Sequence, residues 1–288
     1  MNGSQNGRSS APIGMLPLSG TSQTLRGRVL RMRPAMTGRE VRSVRRADAL
    51  IAAGQKAKAL AHLKRLVKQM PEAVSGYLRL ASLLRDACRA AEAVEVLRTA
   101  VEQAPRDPDP REALADIYLE MGRWDSAIDE ANVLLALSPR SLFARDVLSA
   151  AFLQRGLVDQ ALRVTDEMIL LDPTDPANHF KRGVLLHQKG NVAAAIRSFL
   201  RVLQMQPDAD VAEESRVAVE MLDTFQLRQI VTLAVEDVPF RLRLQRDGND
   251  ALAERGYFLS ERGVATLMQM SFENLPSGPP GWRQYVYH

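Results

Sequence analysis

Small and apolar residues recur through the middle of the chain with a period of 34 residues. Prolines close the successive periods, at Pro71, Pro105, Pro139, Pro173 and Pro207. An alanine stands twelve residues before every one of these prolines: Ala59, Ala93, Ala127, Ala161 and Ala195. Five residues before each alanine comes a glycine, or Cys88 in the second period. Apolar positions at helical spacing on both sides of this residue predict two amphipathic helices per period.

Each recurring position has a physical reason. A glycine after the first helix can adopt the left-handed backbone conformation that reverses the chain direction. Small residues in mid-helix let two helix backbones approach closely, and proline stops the second helix. Every period is therefore predicted to be a helix–turn–helix hairpin. Its apolar face needs a neighbouring hairpin, so the hairpins are expected to stack.

The third period carries the most complete set of these positions, in LADIYLEMGRWDSAIDEANVLLALSP. This pattern resembles the tetratricopeptide repeat family, with matches at Leu114, Ala115, Tyr118, Gly122, Ala127 and Pro139. The resemblance implies an all-α, right-handed superhelical solenoid. Its five repeats span residues 40–73, 74–107, 108–141, 142–175 and 176–209. Arg46 and Arg182 depart from the family at a position that is usually apolar.

The register ends after Pro207, and a different organisation is predicted from there on. Residues 210–224 form an amphipathic pattern typical of a capping helix, and residues 225–270 are predicted to be a small helical module. Asp237 and Ser260 are candidate helix N-caps. A β-hairpin over residues 230–246 is the alternative, because FRLRLQ alternates with period two.

Part of this module also resembles the helical leader modules of certain ribosomal natural-product precursors. The resemblance covers residues 240–260, with Phe240, Arg241, Leu244, Asp247, Ala251, Leu252, Gly256, Leu259 and Ser260 on the shared pattern.

Composition supports helices and identifies two tails. Apolar residues make up 46% of the 288 positions but aromatic residues only 5%, which favours helix over sheet. Residues 1–39 are predicted to be a disordered, Arg-rich arm, and residues 271–288 a Pro- and aromatic-rich tail. Residues 1–48 carry nine arginines against two carboxylates. No apolar run is long enough to predict a membrane span.

Nothing in the sequence points to catalysis, a metal ion or a cofactor. No phosphate-binding, zinc-protease or serine-hydrolase motif occurs in the sequence context that it requires. The four histidines are scattered along the chain. Cys88 is expected to be a small packed residue in a turn. We therefore do not expect an enzyme, and we expect no catalytic residues, metal site or cofactor.

The resemblance implies that partners bind on the concave wall formed by the first helix of each repeat. Glu112, Asp116 and Glu120 recur every four residues and so share one helix face. This acidic stripe is either a partner-binding surface or an ordinary solvated face. The candidate partner-binding residues are Asp109, Glu112, Asp116, Glu120, Phe143, Asp146, Phe180 and His187.

The sequence thus predicts a cytoplasmic, non-enzymatic scaffold or adaptor that binds a peptide or protein segment, with a preference for basic segments. One alternative is a nucleic-acid-associated protein using the Arg-rich arm. Nucleic acid is not the expected partner, however, because the arm lacks interleaved aromatic residues and the acidic stripe on the concave wall would repel phosphate. The other alternative is an accessory docking factor of a biosynthetic enzyme. The oligomeric state stays open.

Overall fold

A computed structural model describes residues 37–208 and 210–270, and this part of the chain is α-helical without strands. It divides into two compact units. The N-terminal unit comprises described residues 37–171, and the C-terminal unit comprises described residues 172–208 and 210–270.

The N-terminal unit consists of four helical hairpins. Their helices are α1 (Gly38–Ala52), α2 (Lys56–Gln69), α3 (Val74–Asp86), α4 (Ala90–Gln103), α5 (Pro108–Glu120), α6 (Trp124–Leu137), α7 (Leu142–Gln154) and α8 (Val158–Leu171). We call the first helix of each hairpin its A helix. The A helices α3, α5 and α7 begin 34 residues apart, which is the period of the sequence pattern.

Left-handed residues make the turns between the two helices of each hairpin. Gly54, Gly122 and Gly156 have φ angles of 72°, 69° and 73°, and Cys88 has a φ of 58°. Side chains also mark where helices begin, because Asp107 and Ser141 accept hydrogen bonds from the first turns of α5 and α7. Turn and cap chemistry therefore set the hairpin boundaries locally.

Packing in this unit joins each helix to the next and each A helix to the following A helix. Contacts link α1 with α3, α3 with α5 and α5 with α7. One continuous hydrophobic core runs between the hairpins, with fully buried leucines at Leu63, Leu84, Leu97, Leu114 and Leu134. Burial of such side chains stabilises by about 1.5–3 kcal/mol each. The A helices therefore form one wall of the unit.

The C-terminal unit contains one further hairpin and four additional helices. The hairpin is α9 (Pro176–Gln188) with α10 (Val192–Met205), and it is followed by α11 (Ala212–Glu236), α12 (Val238–Arg246), α13 (Gly248–Glu254) and α14 (Glu261–Met268). α11 packs against α10, α12 and α14. A second core, centred on Ile230, Phe240 and Leu267, holds these last helices together.

The structure corrects the predicted boundary between a capping helix and a separate module. That boundary, between residues 224 and 225, lies inside α11, which is a single helix of 25 residues. Buried residues keep helical spacing across it, because Leu222, Gln226 and Ile230 follow each other at intervals of four residues. The helix ends only at Glu236. The next residue, Asp237, caps α12, and Pro239 lies in the first turn of α12.

Residues 230–236 and 238–246 are helical, so the alternative β-hairpin is wrong. The period-two alternation FRLRLQ lies in α12, where Phe240 and Leu244 are buried while Leu242 is 60% exposed. Burial at i and i+4 is the helical period. Arginines between the leucines produced the strand-like pattern.

The predicted tails lie mostly outside the described residues. Residues 1–36 of the predicted arm and the whole tail 271–288 belong to the part of the chain that is not described. Thr37 accepts a hydrogen bond from the Glu40 backbone N–H as the N-cap of α1, and Gly38 and Arg39 are already helical. α1 therefore begins two residues before the predicted first repeat.

Candidate functional site

Polar contacts connect neighbouring A helices across the wall of the N-terminal unit. The Ser75 hydroxyl of α3 donates a hydrogen bond to Glu40 Oε1 of α1 over 2.5 Å. Arg79 Nε lies 3.2 Å from Asp48 Oδ1, again between α3 and α1. These contacts hold the A helices in register along the part of the wall nearest the N-terminus.

The α3–α5 junction places a cation beside the predicted acidic stripe. Arg85 Nη1 lies 3.6 Å from Glu120 Oε1, and both side chains are about half exposed. Solvent-exposed pairs of this kind contribute about 0–1 kcal/mol to stability. Glu120 is therefore accessible, but it already has a cationic neighbour on the adjacent A helix.

The other members of the stripe, Glu112 and Asp116, and the neighbouring candidate Asp109 differ strongly in exposure. Glu112 is 5% exposed and Asp109 is 9% exposed, whereas Asp116 is half-buried. Asp109, Glu112, Asp116 and Asp146 each take part in an interaction within the chain. The stripe is therefore a graded surface that is buried at the start of α5 and accessible at its end.

α7 continues the wall with an aromatic and an acidic candidate. Phe143 and Asp146 are both half-buried. Phe143 packs against the edge of the core of the N-terminal unit, as does Leu119 of α5. The accessible end of the acidic stripe therefore lies on the same wall of A helices as partly exposed apolar side chains.

The last two predicted site residues, Phe180 and His187, belong to α9 of the C-terminal unit. Phe180 is 4% exposed, and its ring packs on Phe199 with centroids 5.6 Å apart at 58°. It is a core residue in this arrangement. His187 is half-buried, and burial lowers the pKa of its imidazole, which favours the neutral ring at pH 7.

Sequence reasoning missed two ion pairs inside the third and fourth hairpins. Arg111 Nη1 lies 2.9 Å from Glu130 Oε2, with both side chains 18% exposed. Arg145 Nε lies 2.9 Å from Glu167 Oε2. Both arginines occupy the fourth position of their repeats, so the recurrence was a signal that could have found these pairs. They brace the A helix against the second helix of the hairpin.

The C-terminal unit contains an open cleft of about 410 Å³. Its lining includes Lys189, Asn191, Gln226, Gln229 and Tyr257. Two of its amides are already used, because Asn191 accepts from the Ala194 N–H and Gln226 exchanges hydrogen bonds with the Phe258 backbone. The cleft therefore offers few convergent polar groups for a ligand.

Within residues 37–208 and 210–270, there is no group of three or more His, Cys, Asp or Glu side chains that could hold a metal ion. No helix in the same part of the chain combines the length and the apolar character needed to cross a membrane.

Comparison with known families identifies one family of repeats in this chain. Two sequence models of the tetratricopeptide repeat match, one over residues 50–111 and 84–145 and the other over residues 148–220. Together they span more than half of the chain. The chain belongs to the tetratricopeptide repeat family. A search of curated proteins finds no match.

Solved structures with the same architecture are distant in sequence. MamA residues 41 to the end from Desulfovibrio magneticus RS-1 are 16% identical, with a TM-score of 0.53 over 61% of this chain and 99% of that chain. A crystal structure of MamA is 21% identical, with a TM-score of 0.51 over 56% and 94%. YrrB, described as a tetratricopeptide repeat protein with an unusual peptide-binding site, is 18% identical, with a TM-score of 0.50 over 62% and 93%.

These neighbours show the all-α repeat solenoid. The repeat fold supports a scaffold for protein–protein interaction, because stacked hairpins present long surfaces of side chains on rigid helices.

Proposed function

We propose that this protein is a non-enzymatic adaptor that binds a peptide or protein segment on the A-helix wall of the N-terminal unit. The observation that carries the proposal is the accessible end of the acidic stripe. There Asp116 and Glu120 lie on the same wall of A helices as the partly exposed Leu119 and Phe143. A wall of this composition can pair with cations of a segment and cover its apolar side chains. YrrB, with a similar fold, is described as having a peptide-binding site.

Basic segments are the proposed ligand class. The acidic positions that remain accessible on α5 and α7 are Asp116, Glu120 and Asp146. Each exposed ion pair contributes only about 0–1 kcal/mol, so several must act together. Binding should weaken above about 0.15 M salt, where the screening length falls to roughly 8 Å.

The test uses a labelled peptide with the sequence of residues 24–36, which contains four arginines and no carboxylate side chain. Fluorescence anisotropy is measured against the full chain and against the variant Asp116→Asn/Glu120→Gln. We expect the variant to bind at least about fivefold more weakly at low salt, which corresponds to about 1 kcal/mol for the two lost pairs. Glu112 is left intact because it is buried and its replacement could disturb folding.

The matched control removes two exposed carboxylates from second helices, in the variant Glu102→Gln/Asp129→Asn. Both variants retain residues 1–39 unchanged and have the same net charge, so they differ only in the position of the lost carboxylates. Equal affinities for the site variant and the control variant would refute the wall as the binding surface.

The C-terminal module supports a second proposal, that of a docking element for a biosynthetic enzyme. Leu242 of α12 and Met268 of α14 are 60% and 62% exposed, although α12 and α14 share a common core. Such apolar exposure suits contact with a partner. Purification of the native protein together with an enzyme, lost on Leu242→Ser, would favour this proposal.

A location in the cytoplasm stays a prediction.

A further inference from the structure

The first hairpin, α1–α2, is strongly basic, and its charge opposes that of the hairpins that follow. Residues 38–70 contain nine cations against two carboxylates, a balance of +7, whereas residues 71–171 have a balance of −6. All nine cations are exposed: Arg39, Arg42, Arg45, Arg46, Lys56, Lys58, Lys64, Arg65 and Lys68. Five of these cations belong to α2, so the excess positive charge is not confined to the arm and α1.

Both carboxylates of this hairpin are turned towards α3. Glu40 accepts the hydrogen bond from Ser75, and Asp48 pairs with Arg79. α2 also packs against α3, because Leu66 and Val67 lie beside Gly76. The side of the hairpin that faces away from α3 therefore carries cations and no carboxylate.

Helix geometry places five of these cations on that opposite side. Residues 39, 42 and 46 lie within about 60° of arc on α1, facing away from residues 40, 44 and 48. On α2, residues 58 and 65 lie opposite residues 63, 66 and 67. We call the resulting surface the end face; its members are Arg39, Arg42, Arg46, Lys58 and Arg65.

Hydrogen bonds between α1 and α2 set the two halves of the end face side by side. His62 Nε2 lies 3.0 Å from the Ser43 carbonyl oxygen, and Arg39 Nη2 lies 3.5 Å from Gln69 Oε1. Among residues 37–208 and 210–270, no carboxylate lies within ion-pair distance of any end-face cation. The end face is thus a cluster of cations without an acidic neighbour in the described structure.

The composition of the end face selects among anionic partners. The large hydrophobic side chains that are exposed in the described chain all lie at or beyond Met121, so this hairpin has none. Helices that lie on membranes bury Trp, Phe or Leu side chains, and protein interfaces rely on aromatic anchors. Contacts with nucleic-acid phosphates need only cations and neutral donors.

We propose that the end face binds the phosphate backbone of nucleic acid without reading its sequence. The acidic stripe does not oppose this binding, although it gave the sequence-based reason against nucleic acid. α5 lies two A helices away from α1, roughly 16–20 Å at 8–10 Å per helix pair. That distance is about two screening lengths at 0.15 M salt. Four further arginines, among residues 26–33, precede α1 in the sequence.

The experiment measures binding of the full chain to a fluorescent 20-base-pair duplex of arbitrary sequence at 50–200 mM KCl. The test variant is Arg42→Gln/Arg46→Gln/Arg65→Gln. The slope of log K against log salt is negative, and each cation withdrawn from a phosphate reduces its absolute value by about 0.9. We expect the absolute slope of the variant to be smaller by about 3, and its affinity at 50 mM KCl to fall about tenfold or more. A second duplex of different sequence should bind equally.

The matched control is Arg106→Gln/Arg140→Gln/Arg163→Gln, which removes the same charge from exposed positions of later hairpins. It should bind the duplex within about twofold of the parent. Both triple variants are checked by circular dichroism melts, and Arg42→Lys/Arg46→Lys/Arg65→Lys, which keeps the charge, should retain binding. Equal losses in the two glutamine variants would overturn the proposal, because net charge alone would then explain them.

Two further probes separate the other anionic partners. Vesicles containing phosphatidylserine and a polyglutamate peptide are titrated under the same conditions. Tighter binding of either probe than of the duplex, abolished by the end-face variant, would overturn the assignment to nucleic acid. The variant Asp116→Asn/Glu120→Gln should still bind the duplex, which keeps this result independent of the peptide-binding wall.

Discussion

Cys88 occupies the turn position where the other hairpins have glycine. Its φ of 58° lies in the left-handed region, and the residue is exposed. The expectation of a packed residue was therefore wrong: the turn projects its side chain into solvent. A non-glycine residue in this conformation costs about 1–2 kcal/mol, because Cβ approaches the following carbonyl oxygen.

Replacement of this cysteine by glycine should stabilise the protein. We expect Cys88→Gly to raise the free energy of unfolding by about 0.5–1 kcal/mol, since relief of strain is partly offset by the greater entropy of the unfolded chain. Urea denaturation of the two proteins under reducing conditions measures the difference.

The matched control is Gly156→Ala, where φ is 73° and an added Cβ would meet no atom within 4 Å. This variant tests the backbone conformation alone and should lose about 1 kcal/mol. A loss of stability in Cys88→Gly would contradict the assignment of strain to this turn.

At the scale of the elements, the two helices of a hairpin meet through paired positions sixteen residues apart. In the fourth hairpin the pair is Ser149 and Thr165, whose buried hydroxyl oxygens lie 2.9 Å apart. In the fifth it is Gly183 and Phe199, and a Cβ on the glycine would lie 2.6 Å from the phenyl ring. The small residue in one helix is thus matched to the size and chemistry of its partner in the other.

This matching predicts an unusual sign for a glycine-to-alanine change in a helix. Alanine normally favours a helix interior by about 1 kcal/mol over glycine. Gly183→Ala should instead destabilise the protein by about 1–3 kcal/mol, because the new methyl group overlaps Phe199. Denaturation of the single variant, of Phe199→Leu and of the double variant forms a double-mutant cycle.

In the Phe199→Leu background, Gly183→Ala should be neutral or stabilising. The first two hairpins already use this combination, with alanine at positions 47 and 81 and leucine at positions 63 and 97. An equal cost of Gly183→Ala in both backgrounds would show that the phenyl ring is not the cause.

At the scale of the whole molecule, the chain after the fifth hairpin is held by a buried carboxylate. Asp223 of α11 is 5% exposed and accepts hydrogen bonds from the Ser260 backbone N–H at 3.0 Å and from the Ser260 hydroxyl. The same hydroxyl accepts from the Gly263 N–H at 3.1 Å and so caps α14. One carboxylate therefore ties the longest helix to the last helix of the described chain.

Asp223→Ala should loosen the C-terminal unit selectively. It leaves the buried Ser260 N–H without this acceptor, and loss of a hydrogen bond to a charged group costs about 1.5–3 kcal/mol. Hydrogen exchange followed by mass spectrometry should show faster exchange in α11–α14 and unchanged exchange in α1–α6, since repeat proteins open in local units.

The control for this variant is Glu220→Ala on the same helix. It removes an exposed ion pair with Arg262, which contributes about 0–1 kcal/mol, and should leave exchange nearly unchanged. Uniformly faster exchange in every helix of Asp223→Ala would indicate a single cooperative unit and contradict the prediction.

The sequence by itself determined the hairpins of this protein. Their helices, turns and boundaries follow from the 34-residue period, because helical spacing, left-handed turn residues such as Gly122 and stop signals such as Pro139 act within a few residues along the chain. The family followed from the same local pattern. The net positive charge of the first hairpin is also a property of the sequence alone.

Only the tertiary structure decided which side chains remain accessible. Phe180 and Glu112 were predicted on the concave wall from their register, yet both are buried. Leu242 stands between two arginines in a period-two pattern that would bury it in a strand, yet it is exposed in α12. The end face exists because α3 takes up both carboxylates of the first hairpin. Burial and pairing depend on which element packs against a given face, and that information is carried by residues distant in sequence rather than by the local period.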